Sequence, residues 1–223
     1  MKTLIKSNLT KALFLTTFIS LGSFSSYAQE NKETQTLIGK GISLNKIGFM
    51  ASAGADYTQV SNVDAGLFTF KGGLVINDAL TIGAYYGESI WDIKPRELSP
   101  LYGVNANMDF KVFGGLLEYT LYSNKLWHLT MPLKIGAIEV ELDEYNIAMP
   151  PTWERESYER YFLSVEPQLH LELNVHPYAR VFAGAGYRFS NTELYSQGGY
   201  VPSPGNAVSA QIGIKIGMFR IKS

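Results

Sequence analysis

The chain has 223 residues, 19 lysines and arginines against 20 acidic residues, 3 histidines and no cysteine. The near-neutral balance excludes a dedicated nucleic-acid binder, which needs a basic face. The missing cysteine excludes disulfides, thiol catalysis and an N-terminal lipid-modified cysteine.

In chain order, the first segment reads as an address. Lys2, Lys6 and Lys11 form a positive n-region, residues 12–21 a short apolar run, and Ser26-Tyr27-Ala28 a small-residue cleavage site before Gln29. The apolar run falls short of the ~18–20 residues that a membrane-spanning helix needs, and no later stretch reaches that length. Residues 1–28 are therefore expected to be a signal peptide, and residues 29–45 a polar lead-in. Residues 46–223 are expected to form one all-β domain. Loss of the three lysines takes the formal charge from −1 to −4.

From residue 47 onward, eight segments alternate with a period of two, because successive side chains of an extended strand leave opposite faces. They are 47–57, 68–76, 80–87, 113–121, 128–137, 161–175, 180–189 and 208–218. The sixth is the clearest. Tyr161, Leu163, Val165, Pro167, Leu169, Leu171, Leu173 and Val175 share one face, and Phe162, Ser164, Glu166, Gln168, His170, Glu172 and Asn174 share the other. It is far longer than the usual strand of roughly five or six residues. Such strands, apolar on one side and charged on the other, suit a wall with lipid outside and a polar interior.

The links alternate in length. Asn77-Asp78, Ser123-Asn124-Lys125 and His176-Pro177 are tight-turn chemistry. Residues 58–65, 91–107, 142–159 and 191–205 read as longer links. Short turns on one rim and long loops on the other are expected of an antiparallel up-and-down transmembrane β-barrel with eight strands. Gly54, Gly73, Gly83, Gly114, Gly136, Gly184, Gly186, Gly213 and Gly217 fall mostly on the inner face, where a small barrel tapers. Tyr57, Tyr86, Trp91, Tyr119, Trp127, Tyr161, Tyr178 and Tyr187 gather near strand ends, as interfacial aromatic belts do.

The segments KGGLVINDALTIGAYYG, FGGLLEYTLYSNKLWHLTMPLKIGA, VEPQLHLELNV and GAGYRF resemble a family of small, mostly uncharacterised outer-membrane β-barrel proteins of Bacteroidetes. The resemblance covers about residues 48–219. Its most specific parts are Gly114-Gly115 with Glu118, Glu166-Pro167 with Glu172 and Asn174, and Tyr187-Arg188. The family is similar in architecture to the eight-stranded OmpA/OmpX type, which implies outer-membrane residence and no particular activity. Such barrels often finish on an aromatic residue; here Phe219 is followed by Arg220-Ile221-Lys222-Ser223.

The proposed inner face collects Asp56, Glu118, Glu166 and Glu172 against Lys71, Lys134, Arg188 and Lys215, with His170 among them. Buried charges persist only when paired, so a lumen filled by an ion-pair network is expected, with Gln168 and Asn174 filling remaining positions. That describes a non-enzymatic outer-membrane protein with a packed polar lumen, structural or binding through external loops. Its expected partners are outer-membrane lipid, the barrel-assembly machinery during biogenesis and a surface ligand, with no nucleic acid, cofactor or metal.

Tyr102, Trp153, Arg155, Tyr158 and Tyr200, in the aromatic and turn-rich links, are the candidate contact residues. A narrow porin, a lipid-modifying enzyme and a soluble periplasmic ligand-binding barrel remain as alternatives. For catalysis, His170 beside Glu172 would have to activate a serine, but Ser164 lies six residues away, roughly 20 Å along one strand. A serine of another strand, Ser89 or Ser209, would be needed. Glu166, His170 and Glu172 share a face without any usual metal-ligand spacing. His128 and His176 sit beside turns and are given no role.

Overall fold

The computed structural model describes residues 47–91, 93, 105–145, 157–197, 201 and 203–219. The expected signal peptide and lead-in lie outside the described residues. Eight strands close into one antiparallel barrel in sequence order, with β1 pairing β8. They are β1 (Ile47–Val60), β2 (Val63–Ile76), β3 (Leu80–Ser89), β4 (Asn105–Leu121), β5 (Trp127–Tyr145), β6 (Ser157–His176), β7 (Ala179–Gln197) and β8 (Ala207–Gly217).

Among the described residues, no helix is long and apolar enough to cross a membrane. The apolar face points outward and the charged face inward. On β8, Ile212 and Ile214 are 64% and 57% exposed, whereas Gln211 and Lys215 beside them are buried. The same parity runs through every strand, so the outward wall from Phe49 to Ile216 is a band of Leu, Ile, Phe, Val and Ala. From Tyr161 to Leu173 that band covers about 40 Å of strand at ~3.3 Å per residue. Tilted by roughly 40°, it stands about 30 Å tall, the thickness of a hydrocarbon core.

Exposed aromatic rings mark both edges of the band. Tyr57, Tyr86 and Trp91 lie near the loop rim, and Tyr122, Trp127 and Tyr178 near the turn rim.

One expected long link is instead a tight hairpin. Alternation continues through Val60, and Ser61-Asn62 turn the chain with φ of 49° and 62° straight into Val63. Two positive φ values match the strand twist, and Asn tolerates them. The turn at Asn77-Asp78 repeats this, with φ of 53° and 58°. At the loop rim β4 to β7 overrun the other strands, having 17 to 20 residues where β3 and β8 have 10 and 11.

The overrun reverses the polarity of the wall. Above the apolar band the outward positions become Lys111, Glu139 and Glu141, while Phe110, Ile138 and Val140 point inward and are fully buried or nearly so. A sheet with water outside and an apolar core within is what an emerging strand requires.

Candidate functional site

The lumen is built from the inward positions of all eight strands and is filled in three layers. Nearest the turn rim, Glu172 of β6 accepts from His128 Nε2 at 2.9 Å, from Lys215 Nζ, and from Arg180 Nη1 at 3.5 Å. Lys215 also pairs with Glu118 across the barrel. Arg180 stacks its guanidinium over the Phe219 ring, 3.7 Å from its centroid. Phe219 therefore turns into the turn-rim mouth, where it packs with Met50, Val75 and Leu116.

In the middle layer Lys134 Nζ contacts Asp56 Oδ2 at 3.2 Å and Glu166 Oε2 at 3.5 Å. Glu166 Oε1 accepts from Ser209 and from Gln168 Nε2, and Asp56 Oδ1 accepts from Thr69 at 3.0 Å. Lys71 donates to Gln211 Oε1 at 2.9 Å and lies over the Phe182 ring. Each carboxylate here thus has several donors, the condition under which buried charge is tolerated.

Near the loop rim Arg188 donates to Thr58 Oγ1 at 3.3 Å and to the Gln59 carbonyl, with its guanidinium over Phe110. Above it the lumen is apolar. Phe110, Met108, Ile138, Val140 and Phe162 meet Ile93 and Val201, which enter from the β3–β4 and β7–β8 links.

Room for these side chains comes from inward glycines. Gly54 faces Gly213, Gly73 faces Gly83 and Gly114 faces Gly136 across adjacent strands. A Cβ on Gly213 would stand 2.6 Å from the Phe182 ring, and one on Gly184 2.3 Å from His170 Cδ2.

All nine inward residues singled out from the sequence (Asp56, Lys71, Glu118, Lys134, Glu166, His170, Glu172, Arg188 and Lys215) point into the lumen and are buried. They do not form one network. His170 makes no hydrogen bond through either ring nitrogen; its ring stacks on Phe182 at 5.0 Å and 8°. Arg188 and Lys71 are held by neutral oxygens and aromatic faces rather than carboxylates. Conversely, His128 is no idle rim residue, and Arg180 joins it on Glu172. Their inward parity was visible, but which charges meet across the lumen depends on barrel closure and stagger, which one strand's pattern does not carry.

The polar filling is also incomplete, since the loop-rim third is apolar. Asn174, expected to fill the lumen, instead bonds the Lys125 carbonyl at the turn rim.

The two serines weighed for catalysis are hydrogen-bonded to groups other than His170. Ser209 donates to Glu166, Ser89 Oγ accepts from the Phe110 N–H, and His170 faces Phe182. Among the described residues, no group of three or more His, Asp and Glu side chains is placed to hold a metal ion. Of the loop residues, Tyr158 lies in β6 opposite Leu142, and Tyr102, Trp153, Arg155 and Tyr200 lie outside the described residues.

A closed eight-stranded meander, greasy without and charged within, has the architecture of an outer-membrane β-barrel. Solved structures agree on this fold. The chain is similar to a major outer membrane protein of Thermus thermophilus, with a TM-score of 0.58, 10% identity, and 77% of this chain and 99% of that one covered. It is also similar to Neisserial surface protein A, with a TM-score of 0.52, 12% identity, and 76% and 96% covered. No protein-family model and no curated protein sequence matches the chain.

Proposed function

We propose that the chain is exported by a cleaved signal peptide and embedded in the outer membrane as a non-conducting, non-enzymatic barrel. Its role is structural, with surface contact made by the β4–β7 overrun and its links. The observation that carries this reading is the filled lumen: charged layers below, closed above by Phe110, Ile138, Phe162, Ile93 and Val201.

The outward band between two aromatic edges supports lipid as the surrounding partner. The start of β1, the end of β8 and the turns after β2, β4 and β6 then lie on the periplasmic side, and the Ser61-Asn62 hairpin and the overrun outside. The barrel-assembly machinery is the partner expected during biogenesis, and a surface ligand would meet Tyr102, Trp153, Arg155, Tyr158 and Tyr200. The engaged serines and the stacked His170 support a role without chemistry.

Purified protein in planar lipid bilayers should give no stable open level. A large, steady conductance would overturn the reading. Removing residues 150–158 should abolish surface binding while leaving heat-modifiable gel migration unchanged; retained binding would remove the contact assignment.

A further inference from the structure

Among the described residues, six of the eight seams between neighbouring strands are paired residue by residue, with neither a gap nor a slip. The exceptions are the two sides of β6. Pro132 of β5 keeps its partner Glu118 on β4 but has none on β6, and the β5–β6 ladder lapses between the Thr130–His170 and Leu133–Pro167 pairs. Pro167 of β6 keeps its partner Leu133 on β5 but has none on β7, and that ladder lapses between the Val165–Phe189 and Gln168–Gly186 pairs. Toward the loop rim the β6–β7 register then slips twice, between Leu163 and Val165 and between Tyr161 and Phe162.

Proline explains the lapses. It has no N–H to give to a ladder, so sheets confine it to edges and bulges, and a closed barrel has no edge. Within lipid a lost ladder bond has no water to replace it. The wall is therefore weakest where both prolines act on one strand, and Pro167 is the midpoint of the Tyr161–Leu173 band.

The lumen compensates from inside. Glu166 Oε1 accepts from Gln168 Nε2 at 2.8 Å and from Ser209 Oγ at 2.5 Å, and Oε2 meets Lys134 Nζ at 3.5 Å. One side chain thus ties β6 to β5 on one side and, passing over β7, to β8 on the other. Gly186 of β7 leaves room for the crossing: a Cβ there would stand 2.8 Å from Gln168 Cγ and 3.0 Å from Ser209 Oγ.

We infer that β6 between Val165 and Leu169 is a lateral gate in the barrel wall, latched from the lumen by Glu166. Released, this segment swings away from β7 while the paired ends of β6 keep the cylinder closed. The charged middle layer then opens sideways onto the lipid. The gate is separate from conduction between the rims. Its opening onto lipid rests on the membrane-embedded reading; the difference between seams does not.

Hydrogen–deuterium exchange of backbone amides, read by NMR on the full chain in phosphatidylcholine nanodiscs, tests it. Positions 165, 169, 185 and 189 border the lapse, whereas 53, 70, 113 and 137 sit in unbroken seams. The first set should exchange on the order of tenfold faster, because a local opening exposes only its own amides. Pro167→Leu restores an N–H from the lipid face and should bring the two sets together. Glu166→Gln should speed the first set by a similar factor and leave the second unchanged; Pro167→Leu decides where that variant does not fold. Equal exchange of the two sets in the unaltered chain, or an undiminished difference in Pro167→Leu, would overturn the gate. Glu166→Gln leaving the first set unchanged, or altering both sets alike, would overturn the latch.

Discussion

Two side chains show how narrowly the lumen is fitted. Lys215 is fully buried between Glu118 and Glu172, so Lys215→Met leaves two carboxylates short of a donor. Breaking a buried pair from one side costs about 3–5 kcal/mol. The double variant Lys215→Met/Glu118→Leu should lose less than the sum of its single variants, which a double-mutant cycle by urea unfolding in lipid vesicles would read. Strict additivity would show that the pair contributes nothing.

Glycines give a second contrast. A Cβ at Gly184 meets His170 Cδ2 at 2.3 Å and the Leu169 carbonyl at 2.4 Å, whereas one at outward Gly72 meets only a carbonyl at 3.8 Å. Gly184→Ala should therefore cost about 1–3 kcal/mol through overpacking. Gly72→Ala should cost nothing measurable in the same unfolding assay, and equal effects would contradict the packing described.

At the scale of the strand, one element passes through two environments. Ile135 of β5 is 47% exposed in the apolar band, and Glu139, two alternations on, pairs with Lys111 at 2.9 Å above it. Lys placed on the lipid face near the midplane costs about 2–4 kcal/mol, falling to about 0–1 near the interfaces. Ile135→Lys should thus destabilise by that larger amount. Glu139→Gln should change stability by less than about 1 kcal/mol, as partly exposed pairs do. Similar losses at both positions would mean that the band does not end between them.

This is also the scale at which the sequence was most readable. Each strand core was visible because its two faces meet different media, and the period of two follows from that alone. The overruns were less visible, because beyond Ala137 the apolar residues change faces: Ile138 and Val140 are inward where Lys134 was. The Ser61-Asn62 hairpin was hidden by polar residues on both sides that belong to strands, Thr58 and Asp64. Ile93 and Val201 carry no periodicity, since they enter the mouth from links.

For the whole molecule, closure converts eight such strands into a plugged cylinder, and closure decides the pairings that no single strand announces. Lys215 reaches Glu118, 97 residues away, and Lys134 reaches Asp56, 78 residues away. A sequence can say that these charges face inward, but the stagger chooses their partners. The same closure turns Arg180 and Phe219 toward one another at the turn-rim mouth.

Everything at this scale depends on which face meets lipid. The chain contains no cysteine, so single cysteines introduced one at a time from 163 to 172 can carry spin labels without background. Accessibility to oxygen and to a water-soluble nickel chelate would then be measured in bilayers. The structure requires high oxygen accessibility at 163, 165, 167, 169 and 171, and protection from both reagents at 164, 166, 168, 170 and 172. Odd positions reached by the chelate instead of by oxygen would contradict it.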